Sequence, residues 1–472
     1  MNALLNGLRQ EGNKTKTANG ADTNASSLDA CLDFFYLGPV CKAKPKDAVK
    51  AFQLAYAQDR EVALRVLQWV RDVRGGAGAR QAFRDCFAWL MDRNSHDAIA
   101  ILNKTALIGR WDDVLVGLFS QHITVQKHAI ELIRNALFEE KNGLCAKWMP
   151  RKGPIALALR TQLRLAPKAY RKLLVNLSTT VETQMCANEW DEVNYSHVPS
   201  VAFARYRKAF KRHDGERYTD FVDAADRGEA KINASAIFPH DVVKLIRGRY
   251  AFDLPTRQSI SAQWKSLPNY MEGDNTGLVV ADVSGSMSSV TAGSSTALDI
   301  CIALAMYMSE RARGPFKDTF ITFSDTPKLQ HLKGDIIDRY QQLQTAEWGF
   351  STNIEAVFSL LLNTAMKNDV PPSDMPSMIT IISDMEFNAC TKGTALNTIR
   401  ARYKKAGYEL PKVVFWNVNG RANNVPATAN DKDVGLISGY SPAILGTLFN
   451  TKRFDPISLM LEAVMVPRYN LA

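Results

Sequence analysis

Asp282-Val283-Ser284-Gly285-Ser286 places one carboxylate and two hydroxyls at alternate positions directly after the apolar run 278–281. Hard oxygen ligands of this kind suit Mg²⁺ or Mn²⁺, and one carboxylate with two neutral hydroxyls carries too little negative charge to enclose a divalent ion completely. The preceding run reads as a strand buried on both faces, which puts Asp282 at its carboxyl end, where open α/β sheets place their ligand crevice. Two later segments complete the constellation. Gly349-Phe350-Ser351-Thr352-Asn353 precedes a helical run over 354–362 and offers the Thr352 hydroxyl, and 378–384 is another buried run ending in a carboxylate, Asp384. Asp282, Ser284, Ser286, Thr352 and Asp384 therefore come from three loops at one edge of one parallel sheet. The hydroxyls also have a plainer use, as caps of the helices that follow.

A second chemistry is cationic. The tract 147–172 holds Lys147, Arg151, Lys152, Arg160, Arg164, Lys168, Arg171 and Lys172 and no acid. Arg160, Arg164, Lys168 and Arg171 fall three and four apart, so a helical hairpin would present them on one stripe. Arg205, Arg207, Lys208, Lys211, Arg212 and His213 interleave Tyr206 and Phe210. Cations at this density suit phosphates, and aromatic rings can stack on unpaired bases. Equally, Tyr206 and Phe210, four apart, fit a helix core with the cations on its wet face.

Other arrangements exclude chemistry. Arg74-Gly75-Gly76-Ala77-Gly78 lacks the Gly-Lys-Ser/Thr ending of a phosphate loop and follows no strand, so it reads as a helix-ending turn. Gly109-Arg110-Trp111-Asp112-Asp113 predicts Asp112 as a helix cap and Trp111 buried between helices rather than an acidic metal site. The seven histidines form no His-x-x-x-His pair, and Ser284-Gly285-Ser286 belongs to the metal loop rather than to a nucleophile elbow. No catalytic constellation remains, and an enzyme is not expected.

The elements that must position these residues change texture along the chain. Residues 1–26 carry Asn, Thr, Gly and Ser without periodicity and read as a flexible arm. Over 27–270 apolar residues recur at helical spacing, for example in 48–56, 61–73, 80–91, 95–108, 125–139, 155–163, 166–178 and 201–212, with no strand-like alternation. Such a succession of helices with short turns favours an α-solenoid, although no strict repeat period is present. The polar stretch 263–274 makes a junction. Over 275–450 strands alternate with helices, which implies a parallel sheet covered on both faces. Residues 451–472 form a tail.

Composition sets bounds on all of this. The 472 residues suffice for two or three cores. Net charge is +10, and all of it lies before residue 276, where 40 basic residues meet 30 acidic ones; 276–472 carries 18 of each. That asymmetry suggests a polyanion for the first half. No apolar run approaches the roughly 20 residues that span a bilayer, and 1–20 lacks a signal-peptide core, so a cytoplasmic chain is expected. Cysteines 31, 41, 86, 145, 186, 301 and 390 are scattered and odd in number, which predicts reduced thiols without disulfides.

The order of Asp-x-Ser-x-Ser, Thr352 and Asp384 resembles the metal-ion-dependent adhesion site of von Willebrand factor A domains, which holds Mg²⁺ and leaves one position for an acidic group of a partner. In that class a glycine often follows the last Asp, whereas here Met385 and Glu386 follow, so Glu386 stands to crowd or assist the site. Trp69-Val70-Arg71-Asp72-Val73-Arg74-Gly75-Gly76-Ala77-Gly78-Ala79-Arg80, Gly109-Arg110-Trp111-Asp112-Asp113, Lys147-Trp148-Met149-Pro150-Arg151-Lys152, Tyr195-Ser196-His197-Val198-Pro199-Ser200, Lys231-Ile232-Asn233-Ala234 and Ser438-Gly439-Tyr440-Ser441-Pro442 resemble the Ro-related TROVE family, in its plant, virus and phage branch. The resemblance covers about residues 13–455. It implies a multidomain α plus α/β chain: a HEAT-like α-solenoid, closed into a ring in that family, followed by a Rossmann-like A domain. It also implies binding of small structured RNA on the outside and of single-stranded RNA ends through the hole; a monomer is expected. The alternative is an interaction adaptor whose A domain grips a partner carboxylate, such as that of a MoxR-type AAA+ ATPase.

Overall fold

The computed structural model describes residues 3–41, 44–178, 180–234, 237–248, 252–271, 276–288, 290–292, 295–323, 326–345, 352–389, 395–420 and 423–471. Gly349, Phe350, Ser351 and Cys390 lie outside the described residues.

The first half is helical where the periodicity predicts it. Some of its helices begin at residues whose side chains satisfy free backbone N–H groups. Asp59 accepts from Val62 N to start the helix Arg60–Arg71, and Asn94 accepts from His96 N and Asp97 N to start Ser95–Ile108. Pro154 and Pro167 sit in the first turns of Gly153–Gln162 and Pro167–Leu177, where the missing N–H costs nothing. Successive helices pack on their neighbours along the chain. The apolar interior is not continuous: a second, smaller core centred on Tyr195, Phe203, Phe210 and Tyr218 serves 181–262. The helix Leu254–Lys265 runs into the stretch expected as a junction and buries Gln263 and Trp264.

The second half is built on six strands. In chain order, after the hairpin strands β1 (Lys14–Lys16) and β2 (Asp22–Asn24), these are β3 (Gly277–Asp282), β4 (Thr319–Phe323), β5 (Leu329–His331), β6 (Met378–Ser383), β7 (Lys412–Asn417) and β8 (Val434–Ser438). The sheet order is β8-β7-β6-β3-β4-β5. Five strands are parallel, joined in register such as Ala281 opposite Ile382 and Ser383 opposite Asn417. β5 pairs antiparallel to β4, so the sheet is mixed and not wholly parallel as expected. The reason is length, since the few residues between β4 and β5 cannot make the crossover that a parallel partner needs. The sheet faces are apolar, and the helix Ala297–Arg311 is buried almost throughout against β3 and β6.

Residues 13–26 are not the expected flexible arm but ordered. β1 and β2 pair with each other, and the hairpin is sewn onto the far end of the chain: Asn24 N donates to Val425 O (3.1 Å), Val425 N to Asn24 O (2.9 Å) and Ala389 N to Asn19 O (3.2 Å). Its Asn, Thr and Gly residues carry no hydrophobic period because polar and backbone hydrogen bonds, rather than an apolar face, hold it.

Three distant segments meet at the turn 72–79. The helix Pro456–Val464 packs on the helix Arg60–Arg71, and Tyr469 and Arg468 bring their side chains onto the fully buried Asp72; the Tyr469 hydroxyl donates at 2.9 Å. A Cβ on Gly78, whose φ is +69°, would lie 2.9 Å from Phe238 Cζ, and one on Gly439 would lie 3.2 Å from Ala77 Cβ. The start of the helical half thus touches its end and the α/β unit together. Burial and the Asp72 carboxylate keep the Tyr469 phenol neutral, so it stays a donor. Asp72→Ala removes the shared acceptor from a closed site and should cost about 3 kcal/mol, whereas Lys16→Ala, which breaks an exposed pair with Asp22, should cost under about 0.5 kcal/mol. Urea denaturation of the two variants checks the difference.

Candidate functional site

The carboxyl edge of the sheet gathers the five predicted oxygen ligands. Asp282 ends β3, and its Oδ1 accepts from Ser284 N at 2.9 Å, which curls the loop and sets the Ser284 and Ser286 hydroxyls 3.0 Å apart. Ser383, the last residue of β6, donates its hydroxyl to Asp282 Oδ2 and accepts from Met385 N (2.9 Å). Thr352 donates to Glu386 O at 2.7 Å, which leaves its oxygen lone pairs for a cation, and Glu386 N donates to Asp384 Oδ1 (3.3 Å). Asp282, Asp384 and Thr352 are all within 1% of complete burial.

Burial and, second, the charge on Asp384 push Asp282 up to about 6. Two carboxylates held close in a dry place repel each other, and a divalent cation between them would relieve that repulsion. Among the described residues no group of three or more His, Cys, Asp or Glu side chains could hold a metal, so any cation here would need the hydroxyls as well. Two carboxylates with three hydroxyls fit a hard ion that retains water.

The sequence at 385 and 386 has a structural answer. Met385 is left-handed, with φ +64°, a conformation that favours glycine, and its side chain is completely buried. Glu386 is buried too. Its Oε2 accepts from Ala18 N (2.6 Å) and its Oε1 from Asn424 Nδ2 (3.2 Å), so the carboxylate is engaged by the N-terminal hairpin and the loop after β7.

The cationic residues divide. Arg160 lies on the helix Gly153–Gln162, Arg164 in the turn after it, and Lys168, Arg171 and Lys172 on Pro167–Leu177; Arg151, Lys152, Arg164, Lys168, Arg171 and Lys172 are exposed. In the second tract Arg205, Lys208, Lys211, Arg212 and His213 are exposed, but Arg207 is buried and donates to Ala204 O (3.1 Å). Phe210 is wholly buried and Tyr206 packs beside it with its hydroxyl toward Glu182, so neither ring is offered to a base. Helix packing at a four-residue spacing claimed both. His213 stacks on Trp190 at 4.4 Å.

Sequence reasoning missed the place where the distinctive motifs meet. A cavity of about 870 Å³ is lined by Arg74, Gly78 and Arg80, by Gly109, Arg110 and Trp111, by Lys147 and Trp148, by Pro199 and Ser200, by Asn233, and by Tyr440. Every one of the six motif segments reaches it. Lys147 and Arg205 are the tract residues that line it; the others face elsewhere. Several of its cations are neutralised: Arg71 by Asp113 (2.6 Å), Lys147 by Glu182 (3.5 Å) and Lys244 by Asp241 (3.5 Å). Arg110 pairs with Asp112 (3.0 Å) and lies 4.0 Å over the Trp148 ring. Arg74 and Arg205 pair with no carboxylate among the described residues. Asp113, not Asp112, caps the short helix Trp111–Val114 by accepting from Arg110 N, and it also takes Arg71 and Arg84, while Trp111 is only partly buried against the cavity. The Arg74–Gly78 segment is the expected helix-ending turn, closed by Ala77 N donating to Trp69 O (3.0 Å).

Comparison with known proteins fits this division of the chain. The family model described as "Domain of unknown function (DUF2828)" matches residues 17–110 and 130–275, half of the chain. The chain belongs to the DUF2828 family. A second model, "Domain of unknown function (DUF7788)", matches 276–464, which includes all five predicted metal ligands. Uncharacterized protein L728 of Acanthamoeba polyphaga mimivirus is 27% identical over 514 residues, covering 96% of this chain and 87% of the relative. The crystal structure of the Deinococcus radiodurans RO (RSR) protein aligns over 93% of this chain and 100% of its own, at 13% identity and a TM-score of 0.37.

The raised Asp282 has a stability consequence whose sign is set by linkage. A carboxyl that holds its proton more tightly when folded stabilises the fold fully below the unfolded value near 3.8, and that contribution disappears as pH rises through about 6. The loss is on the order of 3 kcal/mol for a shift of this size. Metal-free protein should therefore melt lower at pH 7.5 than at pH 4.5, and Asp282→Asn should flatten that fall, as read by calorimetry in the presence of a chelator.

Proposed function

We propose that this DUF2828-family chain is a Ro-like RNA-binding protein whose C-terminal unit acts as a von Willebrand factor A domain with a divalent-metal site. One observation carries the RNA reading. Six sequence segments, spread from residue 69 to residue 442 and singled out by their resemblance to the TROVE family, all reach one cationic cavity. Unrelated structural needs would scatter such segments. A shared wall is what a common ligand requires.

Arg74 and Arg205 bring unneutralised charge to the wall, and Trp111 and Trp148 bring flat apolar surface, a combination suited to a phosphate backbone with unpaired bases. The outer stripe of Arg160, Arg164, Lys168 and Arg171 suits phosphates of a folded RNA. Contact of residue 78 with 238, and of 77 with 439, supports a helical half closed on itself.

At the sheet edge, Asp282, Ser284, Ser286, Thr352 and Asp384 would hold Mg²⁺ or Mn²⁺. Those five oxygens would leave one position of an octahedral ion open, and an acidic group of a partner could take it. No catalytic role is assigned to any residue.

Sequencing RNA crosslinked to the protein in its native cell is the direct test, and absence of enriched RNA would overturn the reading. In vitro, Arg74→Ala with Arg205→Ala should weaken binding of single-stranded RNA and lower the slope of log affinity against log salt by roughly 0.7 for each phosphate left unneutralised. Charge reversal at Arg160, Arg164, Lys168 and Arg171 should act on structured RNA instead. Because the net charge and the metal ligands occupy different halves, chelation should change RNA affinity by less than about fivefold, the lower end of usual site coupling. Mg²⁺ should raise the melting temperature at pH 7.5, and this increment should shrink below about pH 6, where the ion competes with the Asp282 proton.

A further inference from the structure

Glu386 is the acid closest in sequence to the metal loop that the site itself does not use, and its surroundings are unusual. The N-terminal hairpin grips the 385–389 loop through four hydrogen bonds. The Thr17 hydroxyl donates to Phe387 O (2.6 Å), Ala18 N to Glu386 Oε2 (2.6 Å), Asn19 Nδ2 to Glu386 O (2.7 Å), and Ala389 N returns one to Asn19 O (3.2 Å). Asn424 adds two more, to Met385 O (2.9 Å) and Glu386 Oε1 (3.2 Å), and is itself held by the Thr23 hydroxyl (3.0 Å). Thr352, a predicted ligand, donates to the same Glu386 carbonyl that Asn19 Nδ2 reaches. Left-handed Met385 stands between Asp384 and Glu386. Strained residues of this kind persist where their neighbours overdetermine them, and here the neighbours are the hairpin and Asn424.

The hairpin lies some 370 residues away in sequence from the loop it holds, and it pairs as well with residues 424 and 425. Released from the hairpin, the loop would be free to turn the Glu386 carboxylate onto a cation held by Asp282 and Asp384, since five protein oxygens leave one position of an octahedral ion to fill. We propose that residues 17–24 are a built-in strap on the metal loop, and that their docking on Glu386 keeps the metal's remaining position open to an outside carboxylate rather than filled by Glu386. The proposal rests on the metal reading above and makes Glu386 a positioning residue, not a ligand, in the strapped chain.

The test uses the full chain, Mg²⁺ as the metal and acetate as the outside carboxylate, with binding heats and hydrogen exchange of 385–389 as readouts. In the parent, Glu386→Gln should leave Mg²⁺ affinity within about twofold. Thr17→Val with Asn19→Ala removes the strap's two side-chain hydrogen bonds to the loop and leaves its two backbone bonds. That variant should exchange faster over 385–389, bind Mg²⁺ about tenfold more tightly, in line with one added carboxylate ligand, and lose its response to acetate. Adding Glu386→Gln to it should restore parental affinity. Additive effects of the strap and Glu386 substitutions, or unchanged exchange, would overturn the strap while leaving the metal site standing. No Mg²⁺ heat from the parent would remove the metal reading and the strap's purpose together.

Discussion

The close approach of backbone at the turn 72–79 governs how this chain is assembled. Gly76 leaves no room for a side chain, since a Cβ there would fall 2.0 Å from Trp69 O, and Ala77 is pressed against Gly439. The same turn exposes Asp72 to Arg468 and Tyr469 from the C-terminal end and brings Gly78 onto Phe238 from the last part of the helical half. A bulkier turn would separate three segments at once. Because those segments carry Arg74, Arg80, His240 and Tyr440, the cavity they enclose exists only while they remain together.

The two candidate sites share this framework but differ in how they treat charge. At the sheet edge, burial and the neighbouring Asp384 raise the cost of ionising Asp282, so the fold itself carries that electrostatic cost. In the cavity, cations are mostly answered by acids, as Asp113 answers Arg71 and Glu182 answers Lys147, so that orientation is fixed and only part of the positive charge faces inward. Buried pairs of this sort contribute little net stability but hold a geometry. Tyr440 follows β8, whose carboxyl end lies on the same sheet edge as Asp282 and Asp384, so one strand edge serves both places.

The hairpin of residues 14–24 joins the chain's first residues to its metal loop. Its hydrogen bonds are short and its partners are buried, although it brings almost no apolar area. Order here comes from satisfying polar groups that would otherwise be stranded in the interior, where an unmet hydrogen bond costs more than a met one contributes.

By itself the amino-acid sequence determined the helices of the first half, the strands that carry the acids, and the gathering of Asp282, Ser284, Ser286, Thr352 and Asp384 on one edge. These follow from local periodicity and from the rule that parallel strands point their carboxyl ends the same way. Tertiary structure alone decided the rest. The arm became a hairpin because its partners lie near residues 386 and 425, and Arg207 turned inward, against the expected wet face, beside the second core around Tyr195 and Tyr218. β5 turned antiparallel at the sheet edge, and Met385 adopts a left-handed conformation because neighbours hold it there. Above all, the six motifs came to share one cavity through contacts between residues hundreds of positions apart, and no periodicity records a partner at that distance.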